Sequence, residues 1–320
     1  KIESEKKLRF VEGGTFSSPV PESYCADGFK PITTPNADGQ YVVAKSKDVV
    51  KVGESSYNSI QAALESVEGS AEKTITLTLN ADVYENVTIP KGYDVTLDLN
   101  GFTLTNDASD SSARGTIYTL GTLTLIDGAG MGVVDNLTNG KSALYVEEGA
   151  TATLSGGTLR RSGEMGELKD DGTSSANGNS YYTIVNRGSL TINEGATVQL
   201  LKRDGTPAGH SSIIDNGWFS GSPVNKENVA RLVINGGTIE GGKYLKNDSF
   251  GVLEIHGGNI ISGANTSILN WNEATIDGGT FDPSDEAAGI VYNLKGGDSE
   301  AGSVDILGGT FITEGNQKIV

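Results

Sequence analysis

The eight residues LEIHGGNI, from Leu253, recur with small changes as LVINGGTI from Leu232, ATIDGGTF from Ala274 and VDILGGTF from Val304. The first glycines of the four doublets, Gly236, Gly257, Gly278 and Gly308, stand 21, 21 and 30 residues apart. Looser copies precede them: VTLDLNGFTL from Val95, LTLIDGAG from Leu123, TATLSGGTL from Thr151 and LTINEGATV from Leu190. A repeat of about 20–30 residues is the mark of a solenoid. Within a copy, Leu253 and Ile255 alternate with Glu254 and His256, the period of a half-buried strand. The glycine doublet then supplies a sharp corner, because glycine takes positive φ without a Cβ clash. A second short strand follows, as in Thr238-Ile239, Asn259-Ile260 and Thr280-Phe281.

Stacked, the copies agree column by column. Leu232, Leu253 and Ala274 fall together, as do Ile234, Ile255, Ile276 and Ile306, and then Ile239, Ile260, Phe281 and Phe311. One copy buries little apolar surface, whereas a stack forms a continuous core. The expected fold is therefore all-β, a right-handed single-stranded parallel β-helix (a β-solenoid) over residues 53–320. Its coils, roughly ten of them, would lie about 4.8 Å apart, with the right-handed crossovers that parallel strands prefer. A third strand ends each time in asparagine: TIVN at Asn186, IIDN at Asn216, YLKN at Asn247, SILN at Asn270 and IVYN at Asn293. Amides at one corner of successive coils can bond to each other and satisfy backbone groups in the turn, so an interior asparagine ladder is expected.

A solenoid's ends expose core and sheet edge and need caps. In SSYNSIQAALESV, Ile60, Ala63, Leu64 and Val67 share one helical face, and Asn58 with Gln61 has the form of a capping box. An N-terminal capping helix is expected near residues 56–67. Ahead of it, VEGGTFSSPVPESYCADGF repeats the GGTF of the last coil, and PITTPNADGQYVVA places an Asp-Gly turn between β-prone runs. Residues 1–52 thus read as the end of a preceding module plus a β-hairpin linker, with flanking modules of a longer chain expected. The first residue is Lys1 rather than Met, as in a cut fragment or a mature product.

Composition narrows the partners. The net charge of −17, from 24 basic and 41 acidic residues, opposes nucleic acid and anionic membranes. The single cysteine, Cys25, allows no disulfide within the chain and no thiolate metal site, and two histidines do not make a histidine-rich centre. No apolar run reaches the length needed to span a bilayer. No metal and no cofactor are expected.

Taken together, SYNSIQAALESV, ENVTIPKGYDVTLDLNGFTLTN, the GGT-bearing coils and GGTFSSPVPESYCADGF with ADGQYVV resemble the large surface β-helix proteins of gut Firmicutes. The resemblance covers nearly the whole chain. It implies a secreted, extracellular, adhesin-like cell-surface protein with a pectate-lyase-like fold, and it carries over no catalytic residues.

Two classes of function fit such a scaffold: a non-enzymatic module that binds a glycan or host protein, and a polysaccharide lyase or glycoside hydrolase. The enzyme reading needs clustered carboxylates or a basic cleft. Asp170-Asp171 lies in a Ser/Gly-rich stretch and reads as solvated; His210 and His256 read as surface residues. A chain at −17 would repel an anionic polymer unless a basic cleft were built. The non-enzymatic module is the expectation.

Candidate ligand-binding residues come from two breaks in the period. From Gly156 to Gly195 and on to Gly236 the steps lengthen to 39 and 41 residues. The excursions, Arg160 to Tyr182 and Leu201 to Arg231, both follow the second strand of their coil and would leave at the same corner of neighbouring coils and meet, with part of the second returning as the strand that ends at Asn216. Loops longer than about 12–15 residues are uncommon unless functional. They bring Tyr181, Tyr182, Trp218 and Phe219, flat apolar surfaces suited to sugar rings or a protein, with the basic pairs Arg160-Arg161 and Lys202-Arg203.

Overall fold

Alternating Thr, Val, Ile and Leu build strands wherever the repeat expects them, because β-branched side chains fit a pleated, half-buried surface. The computed structural model describes residues 10–21, 24–26, 29–32, 36, 38–45, 48–137, 141–162, 182–201, 205–206, 211–261, 266–283, 289–294, 302–313 and 317–320. Its strands form three long parallel sheets and a small antiparallel one. The first long sheet runs in steps from Thr74–Leu79 to Ser303–Ile306, the second from Val83–Tyr84 to Thr310–Phe311, and the third from Val87–Ile89 to Gly289–Asn293. The chain visits the three in turn, so hydrogen-bonded neighbours are every third strand in sequence. The second sheet has nine strands and the third eight, somewhat fewer than ten circuits because the long excursions consume chain.

The register matches the columns read from the repeat. Leu232 pairs with Leu253 and Leu253 with Ala274; Ile234, Ile255, Ile276 and Ile306 follow one another, as do Ile239, Ile260, Phe281 and Phe311. The inward residues of all three sheets form one buried cluster, and Phe281 stacks on Phe311 with ring centroids 5.1 Å apart. The corner between the first and second sheets needs glycine for two reasons. Gly258 sits at φ +90, and a Cβ there would lie 2.9 Å from the Gly236 carbonyl oxygen of the preceding circuit.

The asparagine column is an interior ladder. Asn186 Nδ2 donates to Asn216 Oδ1 at 2.7 Å, Asn216 to Asn247 at 2.7 Å, Asn247 to Asn270 at 2.7 Å and Asn270 to Asn293 at 2.8 Å. The same amides donate to corner carbonyls, such as Asn247 Nδ2 to Glu273 O at 2.9 Å.

At the N-terminal edge, Val50–Val52 pairs antiparallel with Ser55–Tyr57 and with Thr74–Leu79, so the first sheet ends in a hairpin rather than a bare parallel edge. The helix is Ile60–Glu65, shorter than the expected 56–67, because residues 55–57 are taken by that hairpin. Its N-cap is Ser59, not Asn58: the Ser59 side chain accepts from Ala62 N at 3.0 Å. The next two free N–H groups, of Ile60 and Gln61, donate to the Glu85 carboxylate at 2.8 and 2.9 Å. Ile60, Ala63 and Leu64 are buried against the first circuit.

Before residue 50, Gly14–Phe16 and Phe29–Ile32 flank Tyr41–Lys45 in a three-stranded antiparallel sheet. The hairpin expected across residues 31–44 corresponds to the antiparallel pair Phe29–Ile32 and Tyr41–Lys45. The first GGTF pairs antiparallel here, unlike its twin at 308–311, which joins the second parallel sheet.

Candidate functional site

In the third sheet the column of residues just before the ladder asparagines points away from the core. In register this outer column reads Tyr118, Tyr145, Val185, Asp215, Lys246, Leu269, Tyr292. An outer column normally faces water. Here Asp215 and Lys246 are fully buried and Asp248 nearly so. A carboxylate and an ammonium out of water need partners, or they shift toward neutrality.

The cover comes from the corner that follows the third sheet. Gly217, at φ +107, turns the chain back so that Trp218 N donates to Ser249 O at 2.9 Å. The ring of Phe219 then lies over Lys246, its centroid 4.1 Å from Nζ, and Trp271 lies 5.1 Å from the same nitrogen. Trp218 packs edge-to-face on Phe250 with centroids 6.2 Å apart, and the Arg187 guanidinium sits 5.7 Å from the Trp218 ring. Phe250 is held at φ 61, a conformation that costs a non-glycine residue about 1–3 kcal/mol; its packing on Trp218 offsets part of that cost.

Under this cover the charges pair. Arg187 meets Asp215 Oδ2 at 2.6 Å, and Lys246 Nζ lies 2.6 Å from Asp248 Oδ2. The second contact is too misaligned to make a hydrogen bond, and Asp215 Oδ1 has no hydrogen-bond partner either. Burial pushes the Asp248 carboxyl up to about 7; the hydrogen bond and the negative charge of Asp215 push in the same direction, against Lys246. Burial, then the charges of Asp215 and Asp248, push the Tyr182 phenol up as well. Two carboxyls, one of them protonated near neutrality, and an amine thus share a dry site.

The rest of the corner, residues 217–229, is pinned by Glu148. Its carboxylate accepts from Val224 N at 2.7 Å, Asn225 N at 3.2 Å and Asn228 Nδ2 at 2.7 Å. Burial pushes the Glu148 carboxyl up, but these hydrogen bonds outweigh it and hold it below its ordinary value. The loop leaves Phe219 at 67% and Val224 at 97% exposure.

The residues singled out in the sequence divide. Tyr182, Trp218 and Phe219 come together around the buried charges. Arg160 and Arg161 do not join them. Arg160 lies on the second sheet, its guanidinium 2.7 Å from Asp135. Arg161 faces inward, fully buried, with Nε donating to Lys141 O at 2.9 Å, so it cannot meet a ligand. Tyr181, Lys202, Arg203, Asp170-Asp171 and His210 lie outside the described residues. Both excursions leave at one corner, the end of the second sheet in neighbouring circuits, but the place of Trp218 and Phe219 needs correcting. Residues 162–183 and 201–213 connect the second sheet to the third, whereas Trp218 and Phe219 belong to a further excursion, 217–229, that connects the third sheet to the first. The strand Ile214–Asn216 divides the second stretch in two. His256 is partly exposed, with Nδ1 2.7 Å from Asp277.

Sequence reasoning missed Arg187, Asp215, Lys246, Asp248 and Trp271. A signal was present: Asp215 and Lys246 occupy the same slot of IIDN and YLKN, so the ladder register alone stacks them in adjacent rows. A concavity of about 730 Å³ follows the glycine corners from Gly195 to Gly309 and offers glycine backbone with threonine side chains and Glu194, Asn235 and Asn259, but no aromatic ring. Among the described residues no cluster of His, Cys, Asp and Glu suits a metal ion, and no helix is long and apolar enough to cross a membrane. Compared with known proteins, the chain matches no family model, no curated protein and no solved structure.

Proposed function

We propose that the three sheets wind as one right-handed, single-stranded parallel β-helix, and that the protein is a non-enzymatic, adhesin-like module of an extracellular bacterial surface. On this reading it binds a glycan or a host protein at the 217–229 corner. The orderly visits to the three sheets support the winding, and right-handed crossovers are the strong preference of parallel strands. The resemblance to the surface β-helix proteins of gut Firmicutes supports the location.

The observation that carries the binding reading is Phe219. It is 67% exposed, yet it belongs to a corner tied down by Trp218 at one end and by Glu148 further along. An exposed aromatic ring on a fixed loop binds without a large ordering cost. Its flat face suits the C–H face of a sugar ring, which favours the glycan over the protein. The enzyme alternative would rest on Asp215 and Asp248, a carboxyl pair of the kind used for acid–base cleavage. Both are buried under Phe219, Trp218 and their neighbours, out of reach of a polymer, which favours the binder.

The test is a glycan and mucin binding screen of the wild type against Phe219→Ala. Binding that falls at least about tenfold in the variant, as for loss of an aromatic anchor, with the β-sheet circular-dichroism spectrum of the wild type retained, is the expected result. Equal binding by both proteins removes this corner. Release of unsaturated or reducing ends from any polysaccharide removes the non-enzymatic reading.

A further inference from the structure

The Lys246–Asp248 pair has a geometry that a plain ion pair does not need. Asn247, between them, turns inward to the ladder, so both neighbours stand on the outer face at the end of the strand Leu245–Asn247. Their side chains are 0% and 4% exposed, and Nζ is 2.6 Å from Oδ2 without a hydrogen bond forming. The rings of Phe219 and Trp271 face the amine, and Asp215 stacks in the adjacent row with one oxygen unpartnered. An amine and a carboxyl held in contact and shielded from water, the carboxyl with a second carboxyl against it, are the reactants of an amide condensation.

We propose that Lys246 and Asp248 join through an amide bond that the folded protein makes on itself, with Asp215 assisting at the carboxyl. The Lys246 ammonium gives one proton to Asp248 Oδ2, 2.6 Å away, and the freed lone pair attacks Cγ of the carboxyl so protonated. The C–N bond forms and the carbonyl pair moves to oxygen. One proton of the nitrogen then passes to the departing hydroxyl by way of Asp215, which bonds to the same carboxyl. The carbonyl pair returns, the C–O bond breaks, and water leaves. The overall change is ammonium and carboxylate to amide and water, with Asp215 unchanged. Burial, which raises Asp248 and penalises the ammonium, favours this neutral product over the charged pair. Arg187, 2.6 Å from Asp215 Oδ2, holds that carboxyl in place against Asp248. The bond closes only a short ring within one strand; its effect is to remove two buried charges rather than to staple distant segments.

The experiment is intact-mass and peptide mass spectrometry of the full chain after incubation at neutral pH. The expected mass is that of the sequence less one water, with Lys246 resistant to trypsin and fragment ions branching from Lys246 to Asp248. A chain at full mass overturns the proposal. So does a water loss that maps to an imide at Asp248-Ser249 and leaves Lys246 cleavable. Lys246→Arg is expected to return the chain to full mass, and an undiminished water loss in that variant counts against the bond. Because a variant could fail to fold, the mapping on the wild type is decisive without it. Asp215→Ala is expected to accumulate the full-mass chain, and formation at the wild-type rate removes Asp215 from the step.

Discussion

Asn247 carries more of the structure than its size suggests. Its oxygen accepts from Asn216, and its amide donates to Asn270, to Gly251 O at 3.2 Å and to Glu273 O at 2.9 Å, all out of water. Substituting alanine leaves those partners unpaired in a site that water cannot enter. Asn247→Ala is expected to cost about 1–3 kcal/mol, the penalty of stranded buried polar groups, read as a lower denaturation midpoint; an unchanged midpoint would show that the ladder is ornamental. Much of this was legible, because an asparagine recurring at one slot of a periodic sequence can only be a column. The residue before each asparagine was equally visible but reads as solvated, since strand alternation assigns a face and says nothing about what covers it.

Among the elements, the helix Ile60–Glu65 and the 217–229 corner show how far pattern reaches. Ile60, Ala63 and Leu64 announced a helical face, and they are buried against the first circuit. The start of the helix was set by contacts outside the pattern: the Val50–Val52 hairpin took residues 55–57, and Glu85 supplied the acceptors. Leu64→Asp places an unpaired carboxylate where Leu64 is 1% exposed. It is expected to destabilise the fold by about 3 kcal/mol or more, as large destabilisations from buried unpaired charge do, with a matching drop in melting temperature; an unmoved melting curve would show that the helix is no lid. The excursions and the corner they leave from were legible as lengthened steps after the second strand, but the separate excursion 217–229 was not. Ile214–Asn216 inside the second one is too short for periodicity by itself and was legible only through its place in the asparagine column.

For the whole molecule, the net charge of −17 and the buried Asp248 act on stability in one direction. Self-repulsion of the compact state grows as carboxyls ionise. Asp248 titrates near 3.8 when unfolded and is raised to about 7 in the fold, beside Asp215, Lys246, Arg187, Tyr182 and Tyr244. A raised carboxyl binds its proton more tightly in the folded state, so its contribution is complete below the unfolded value and is lost as pH rises through the folded one. In Lys246→Met, which cannot form the amide, thermal stability is expected to fall from about pH 4 to about pH 7, over the range in which folded chains bind more protons. The wild type, with Asp248 consumed in an amide, is expected to change less over that range. Parallel profiles would mean that Asp248 titrates alike in both proteins.

The sequence alone determined the strands, the three-fold alternation of faces, the glycine corners and the stacking columns, because each is a local periodicity repeated along the chain and every copy reports the same preference. The tertiary structure decided what lies over those faces. Arg161 faces inward on the Lys141 carbonyl, and Lys246 is buried on the outer face because Phe219 and Trp271 reach it from neighbouring rows. Whether a charge meets water or an aromatic ring depends on segments distant in sequence. The desolvation that makes Asp248 and Lys246 chemically unusual therefore exists only once those segments have folded over them.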